Sequence, residues 1–167
     1  MPLVDQLLFP MTFFAALGCG LMAGLFFAFS NFVMKALVRL RPDNGIAAMQ
    51  SINVAVLNPM FLALFLGTAA ASAFLVIYSL VRWPHPGAGW LLTGGTLYLV
   101  GNVVVTAAFN VPRNDALARV DASNPEADRA WRDYVAGWTR WKHVRTVAGL
   151  AAAASFAMAL GQWQTGA

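Results

Sequence analysis

The sequence predicts an all-α integral membrane protein, a four-helix bundle with a helical extension on one side of the membrane. Of its 167 residues, 59% are apolar and 11% are charged, whereas soluble domains contain roughly 25% charged residues. Four runs are free of Asp, Glu, Lys and Arg, and each is long enough for a helix of about 20 residues to cross a bilayer. We therefore expect one membrane domain, residues 1–167.

The spans follow from the positions of these uncharged runs. The chain has no Lys or Arg before its first apolar run and carries Asp5 there, so it lacks the basic region of a cleavable signal peptide and the first span should be retained. That span contains Gly20 and Gly24, whose spacing allows membrane helices to approach closely and predicts packing inside the bundle. We place the spans near 6–29, 58–81, 90–109 and 146–163.

Local signals mark the ends of several helices. Asn58 followed by Pro59 is a helix start, and the polar stretch 46–57, with Gln50 and Asn53 on one face, predicts a short interfacial helix. Asn102 lies inside the third span, where its amide must find a hydrogen-bonding partner on another helix. In the later charged segment, Asn114 or Asp115 can cap a short helix, and a second helix should run about 39 residues from Pro125 to Trp163, too long for the bilayer alone.

Basic residues are distributed unevenly between the two faces of the membrane. Ten of the eleven Lys and Arg residues lie in segments 30–57 and 110–145, and Arg82 alone lies in the opposite loop with His85. The positive-inside rule then predicts a multi-pass protein of the plasma (inner) membrane, with both basic segments in the cytoplasm and both termini outside. The net charge of +4 suits an anionic lipid leaflet, so we predict a lipid partner and no nucleic acid.

The segment 110–146 concentrates the side chains that can form a site. It holds seven of the eleven Lys and Arg residues and three of the six tryptophans. A stripe at helical spacing places several large side chains on one face, and His143 points away from it. The stripe predicts either packing or a surface for stacking a flat aromatic ligand, and its spacing leaves both open. Its members are Trp131, Tyr134, Trp138, Trp141 and Arg145.

Five blocks of sequence carry a resemblance to a known family. In order they are AFSNFVM (28–34), MQSIN (49–53), NPMF (58–61), NVPRND (110–115) and WTRWKHVRT (138–146). Their order and spacing resemble the anthrone oxygenase-like family of small four-span membrane proteins, long catalogued as a domain of unknown function. The resemblance extends over essentially the whole chain. It departs from the family pattern at Lys142, where Asn is usual.

The resemblance implies a cofactor-independent oxygenase, a monooxygenase that uses molecular oxygen as co-substrate on a polycyclic aromatic or phenolic, anthrone-like substrate. Such an enzyme stacks the rings, removes a proton and stabilises the resulting oxyanion. His143 is then expected to be the base, and positioned proton transfer contributes about 10²–10⁴-fold to a rate. The other expected roles are anion stabilisation by Arg113 and Arg145, stacking by Trp131, Tyr134, Trp138 and Trp141, and hydrogen bonding by Asn31, Asn53 and Asn110.

Other classes of protein fit the sequence less well. The two histidines, His85 and His143, fall on opposite membrane faces and the chain has one cysteine, so we predict no metal site. The predicted spans contain no Asp, Glu, Lys or Arg, which disfavours an ion-coupled transporter. The alternative to an enzyme is a non-catalytic small membrane subunit or a carrier of a hydrophobic aromatic molecule. Assembly into a homo-oligomer stays open.

Overall fold

All regular structure in the described residues is helical. The computed structural model describes residues 3–84, 86–124 and 126–165. The elements are α1 (Leu3–Ala28, a π-helical turn at Phe29–Val33 and a last piece at Met34–Val38), α2 (Pro42–Ala55), α3 (Pro59–Val81), α4 (Ala88–Tyr98, then π-helical segments at Leu99–Val104 and Thr106–Asn110), α5 (Val111–Ala118) and α6 (Ala127–Thr165).

Four stretches of helix within the described ranges are long and apolar enough to cross a membrane. They are Gln6–Val38, Pro59–Val81, Ala88–Ala118 and Ala127–Trp163. α6 packs along α1 on one side and along α4 on the other, and α4 also packs on α3. The predicted all-α, four-span bundle is confirmed, and the chain is a multi-pass membrane protein.

The interior of the bundle is closely packed, and its outside is apolar as well. Phe26, Leu75, Tyr98 and Phe156 are fully buried, whereas many large apolar side chains on the outer faces are exposed. Exposure of apolar side chains is favourable where lipid surrounds the helices, since lipid tails are as apolar as the side chains. The Tyr98 hydroxyl donates to the Phe65 carbonyl oxygen at 3.2 Å, so this buried phenol has a partner in the bundle.

Some glycines allow neighbouring helices to approach closely, but Gly20 and Gly24, which the sequence suggested for this role, do not. A Cβ added at Gly20 or Gly24 would meet no atom within 4 Å, so the predicted packing role of this pair is wrong. One close contact between helices lies at Gly95 of α4, where a Cβ would stand 2.8 Å from the Ser72 carbonyl oxygen of α3. Spacing along one helix shows that two small residues share a face, but not whether that face turns inward.

Asn102 is also placed differently from the expectation. Its side chain is fully buried, yet neither amide atom has a hydrogen-bonding partner among the described residues. The predicted hydrogen bond to another helix is therefore not formed. Asn102 lies in a π-helical segment of α4, and its backbone carbonyl accepts the hydroxyl of Thr106.

A helical cap, formed by α2, α5 and the first half of α6, covers one end of the bundle. α6 has 39 residues, which at about 1.5 Å per residue exceeds a hydrocarbon core of about 30 Å, so the predicted helical extension is present. The short helix expected at 46–57 is α2, which begins earlier, at Pro42. The Asn58 cap is confirmed, since its side-chain oxygen accepts the Phe61 backbone N–H at 2.9 Å.

The connection between α5 and α6 is a short polar turn. Asp121 accepts hydrogen bonds from the hydroxyl and the backbone N–H of Ser123, and these bonds hold the pKa of the Asp121 carboxyl below its usual value. The Asn124 side-chain oxygen accepts the backbone N–H of Glu126 at 2.9 Å, the hydrogen bond that an N-cap residue makes before a helix. The expected helix start at Pro125 and the turn at His85 lie outside the described residues.

The core of the cap is built on the aromatic stripe of α6. Trp131, Tyr134 and Trp138 are 4%, 6% and 2% exposed. Their rings stack in succession, with centroids 5.8 Å and 5.9 Å apart. Ile46 and Met49 of α2 are fully buried in the same cluster. Packing is therefore the main role of Trp131 and Tyr134.

Polar side chains fasten the cap to these rings. The Asn114 side-chain oxygen accepts the Tyr134 hydroxyl at 3.0 Å and the Trp138 indole N–H at 2.8 Å. The prediction that Asn114 or Asp115 caps a helix is wrong, because helical structure already continues from Asn110 into α5. Asn114 instead joins α5 to α6.

Gly95→Ala should destabilise the protein, because the added methyl group would force α3 and α4 apart. Overpacking of this kind costs about 1–3 kcal/mol. We expect a lower Tm by tryptophan fluorescence in detergent. The matched control is Gly20→Ala, where nothing lies within 4 Å of the new Cβ and the Tm should not fall. Equal Tm values for the two variants would contradict the packing described for Gly95.

Asn114→Leu should loosen the cap, because the indole N–H of Trp138 and the hydroxyl of Tyr134 would lose their acceptor. A buried polar group left without its partner costs about 1–3 kcal/mol. Asn114→Asp keeps an acceptor oxygen and is the control. We expect thermal unfolding at a lower temperature for Asn114→Leu than for Asn114→Asp. The reverse order would show that these two hydrogen bonds do not stabilise the cap.

Candidate functional site

A cavity of about 290 Å³ lies between the cap and the bundle. This volume is near the lower end of small-molecule pockets, at about 300–1,000 Å³. α1, α2, the end of α4, α5 and α6 all contribute to its walls. Much of the lining is apolar, and the aromatic members are Phe26, Phe29, Phe61 and Trp138.

Two buried cations of α6, Lys142 and Arg145, lie beside this cavity and are called the cation pair below. They are three residues apart, so they share the helix face that turns towards α1. Lys142 is 8% exposed and Arg145 is 2% exposed. Both residues line the cavity.

Aromatic rings hold the cation pair in place. The Arg145 guanidinium carbon lies 3.5 Å from the centroid of the Phe26 ring. The Lys142 amine lies 4.4 Å from the Trp138 ring, 4.5 Å from Phe26 and 5.5 Å from Phe29. Cations within about 6 Å of a ring centroid are attracted by its negative face, which offsets part of the cost of burying the two charges.

The cation pair has few polar partners. Arg145 donates to the Asn110 side-chain oxygen at 3.5 Å, which is long for a hydrogen bond. Neither cation forms an ion pair within the described ranges, and the Arg145 Nε and the Asn110 amide nitrogen are buried without a partner. Asp115 lines the cavity as well, but it is exposed. The buried part of the site therefore contains more hydrogen-bond donors than acceptors.

Four of the residues expected from the sequence meet at this cavity. Trp138, Arg145, Asn53 and Asn110 all line it. The Asn53 amide nitrogen also lies 3.4 Å from the Tyr134 hydroxyl, to which it donates. Side chains that are far apart in the sequence thus converge on one volume.

The other expected residues lie elsewhere. His143 and Asn31 are exposed and do not line the cavity. Arg113 donates to the Phe109 carbonyl oxygen at 2.7 Å, outside the cavity wall. His143 follows Lys142 directly, and one step of about 100° around a helix turns it away from the face that Lys142 shares with the cavity. The role of base predicted for His143 therefore has no support from the geometry.

The stripe of aromatic residues divides between two environments. Trp131 and Tyr134 lie in the core of the cap, and of the four aromatic residues only Trp138 lines the cavity. Trp141 stacks face to face on Phe109, with centroids 3.6 Å apart. A single flat ligand therefore cannot stack on the whole stripe, as the ligand interpretation of the sequence supposed.

Sequence reasoning missed several cavity residues. Lys142 is four residues after Trp138 and three before Arg145, so the helical spacing already placed it on the same face. Gln50, on the predicted polar face of α2, lines the cavity and donates to the carbonyl oxygens of Leu117 and Val120 at 2.9 Å and 3.0 Å. Phe29 has no such signal, because its contribution depends on how α1 meets α6.

The described residues contain no group of three or more His, Cys, Asp or Glu side chains that could hold a metal ion. At the cavity itself the polar lining consists mainly of amides and the cation pair. The cation pair is a poor metal site, because ammonium and guanidinium groups donate hydrogen bonds and offer no lone pair.

Comparison with known proteins identifies the family of this chain. The chain has no significant match among curated proteins or solved structures. The family model for anthrone oxygenase matches residues 58–155, which include α3, α4, α5 and the cation pair, while the blocks at 28–34 and 49–53 lie outside it. Because the match covers more than half of the 167 residues, the chain belongs to the anthrone oxygenase family.

Proposed function

We propose that this protein is a membrane-embedded oxygenase that oxidises a polycyclic aromatic or phenolic, anthrone-like substrate with molecular oxygen and without a metal or organic cofactor. The observation that carries this proposal is the cavity itself, whose wall contains both the Trp138 ring and the buried Arg145 guanidinium, which lies over the Phe26 ring. An aromatic wall next to a buried cation suits a flat molecule that develops negative charge on one oxygen. The family supports the same reaction class.

The chemistry needs little from the protein beyond binding and charge stabilisation. An anthrone has an acidic methylene group between two aromatic rings, opposite a ketone. Loss of a methylene proton gives an anion whose charge is shared with the ketone oxygen, and this anion can pass an electron to O₂. The overall reaction converts the methylene to a second ketone: anthrone and O₂ give anthraquinone and water.

The cavity residues have separate tasks in this reaction. Arg145 stabilises the oxyanion, since its guanidinium is fixed over Phe26 before the charge develops. Trp138 and Phe29 present aromatic surface to the substrate rings. The Arg145 side chain is buried from solvent, which strengthens the attraction between its guanidinium and the oxyanion.

Arg145→Gln should slow the oxidation of an anthrone, because an amide cannot neutralise the oxyanion. Removing one such donor typically lowers a rate by about 10²–10³-fold. The measurement is O₂ consumption by protein in lipid vesicles, corrected for spontaneous oxidation in vesicles without protein. Arg140→Gln is the control, since Arg140 is exposed on the same helix. A rate unchanged by Arg145→Gln would exclude Arg145 from catalysis.

A metal chelator should leave the wild-type rate unchanged if no metal takes part. His143→Ala is measured in the same assay. A rate lowered by about 10²–10⁴-fold in this variant would support the prediction that His143 is the base. Its exposed position leads us to expect a rate close to that of the wild type. Loss of activity in chelator, regained on addition of copper or iron, would contradict the cofactor-free mechanism.

A carrier of an aromatic ligand is the second candidate function. It is favoured by the absence of the predicted base, His143, from the cavity lining. A carrier would bind the same flat molecules and leave them unchanged. Substrate recovered intact from the vesicles, with no O₂ consumed, would favour the carrier over the enzyme.

We also propose that the cap lies in the cytoplasm, with both termini outside, because the cap carries most of the basic residues. A cysteine at Ser123, in the turn before α6, should react with an impermeant thiol reagent only after cells are broken. A cysteine at Gly89 should react in intact cells, and Gly89 suits this test because an added Cβ meets nothing within 4 Å. Both variants need Cys19→Ser. The opposite labelling pattern would reverse the orientation.

A further inference from the structure

The cavity contains two buried basic side chains, Lys142 and Arg145, that no carboxylate of the described residues pairs with. The amine of Lys142 has three N–H donors, and its contacts in the described residues are with aromatic rings. Arg145 adds a buried Nε–H without an acceptor, and Asn110 adds a buried N–H of its side-chain amide. Burying an unpaired charge is costly, so a ligand that brings an anionic oxygen would relieve this cost.

Lys142 and Arg145 lie against the same ring of α1, so one carboxylate placed between them can reach both. The Lys142 amine is 4.5 Å and the Arg145 guanidinium carbon 3.5 Å from the centroid of the same Phe26 ring. The two groups are therefore no more than 8.0 Å apart, whatever their directions from that ring. An anionic oxygen placed between two neighbouring basic groups favours the charged form of each and is attracted by both.

We infer that the cavity is an anion site, which binds planar aromatic molecules in their ionised form and holds the charged oxygen between Lys142 and Arg145. The ligand class is an aromatic oxyanion: a carboxylate, a phenolate or the enolate of an anthrone. This inference rests on the proposed function only in taking the cavity as the ligand site. It adds that the site selects ligands by their negative charge as well as by their planar aromatic shape.

Selection of the ionised form has a consequence for the proposed reaction. The enolate of an anthrone is the same anion that loss of the methylene proton produces. A site that binds this anion favours loss of the methylene proton to water and stabilises the species that reacts with O₂, so no dedicated base is required inside the cavity. The exposed position of His143 is then compatible with catalysis.

Other charged groups near the cavity are arranged consistently with this assignment. Asp115 is the one carboxylate among the described cavity residues, and it is exposed, whereas the cation pair is buried. Its charge is therefore screened by solvent more strongly than the charges of the pair. The buried part of the cavity wall therefore contains two basic groups and no carboxylate among the described residues.

The test compares two unreactive probes of nearly equal shape, anthracene-2-carboxylate and anthracene-2-carboxamide. Binding is followed by quenching of tryptophan fluorescence, with protein in vesicles of zwitterionic lipid and with protein-free vesicles to correct for partitioning. Wild-type protein should bind the carboxylate at least about tenfold more tightly than the amide, as expected for charge-assisted hydrogen bonds. Lys142→Met and Arg145→Met should reduce that ratio to about one, because both variants keep side-chain bulk and remove charge.

Two further variants serve as controls. Arg140→Met removes the same charge from an exposed position on α6 and should leave the ratio unchanged. Lys142→Arg keeps the charge and should retain the preference, which separates charge from packing if Lys142→Met alters the cap. Circular dichroism checks that each variant is folded.

Equal affinity of wild-type protein for the two probes, or binding of neither, would overturn the anion site. An equal loss of carboxylate preference in Arg140→Met and Lys142→Met would also overturn the anion site, since surface charge would then explain the preference. The anion site and the oxygenase can also fail separately. Preference for the carboxylate without O₂ consumption would contradict the oxygenase and support the anion site. O₂ consumption without any preference for the carboxylate would support the oxygenase and contradict the anion site.

Discussion

Burial of Lys142 and Arg145 against the Phe26 ring is the interaction on which the cap, the bundle and the site all depend. These cations lie where α6 leaves the cap and enters the bundle, and the ring belongs to α1, the main packing partner of α6. Trp138 contacts the Lys142 amine and is also part of the cap core. A change at this junction therefore affects stability and ligand binding together.

Hydrophobic patterning was sufficient to predict the spans and the long last helix, because a bilayer imposes length and composition on each crossing. Asn58 could be predicted as a cap because its interaction is local, with Phe61 three residues away. Gly20 and Gly24 could not be assigned to a contact, since the partner helix and the rotation of α1 are set by packing across the whole bundle. Asn114 was misassigned for a similar reason: its partners, Tyr134 and Trp138, lie on another helix.

Helical spacing placed Trp138 and Arg145 on one face of α6, and both line the cavity. The same spacing also contained the signal for Lys142. Spacing could not show that the stripe would divide, with Trp131 in the cap core and Trp141 on Phe109. That division follows from the contacts α6 makes along its length, first with α2 and then with the end of α4. His143 was expected at the site from resemblance alone, against its helical phase, and the phase agrees with its exposed position.

The site joins two parts of the chain that differ in their relation to the family. The cation pair and Asn110 lie within residues 58–155, which the family model matches, whereas Phe26, Phe29 and Asn53 come from α1 and α2, outside the match. Arg145 and Asn110 thus belong to the matched part of the chain, whereas Lys142 departs from the family pattern and the aromatic wall depends on helices that the family model does not cover. If the proposed oxygenase is correct, substitutions at Phe29 and Asn53 should alter substrate preference more readily than substitutions at Arg145, which should alter the rate.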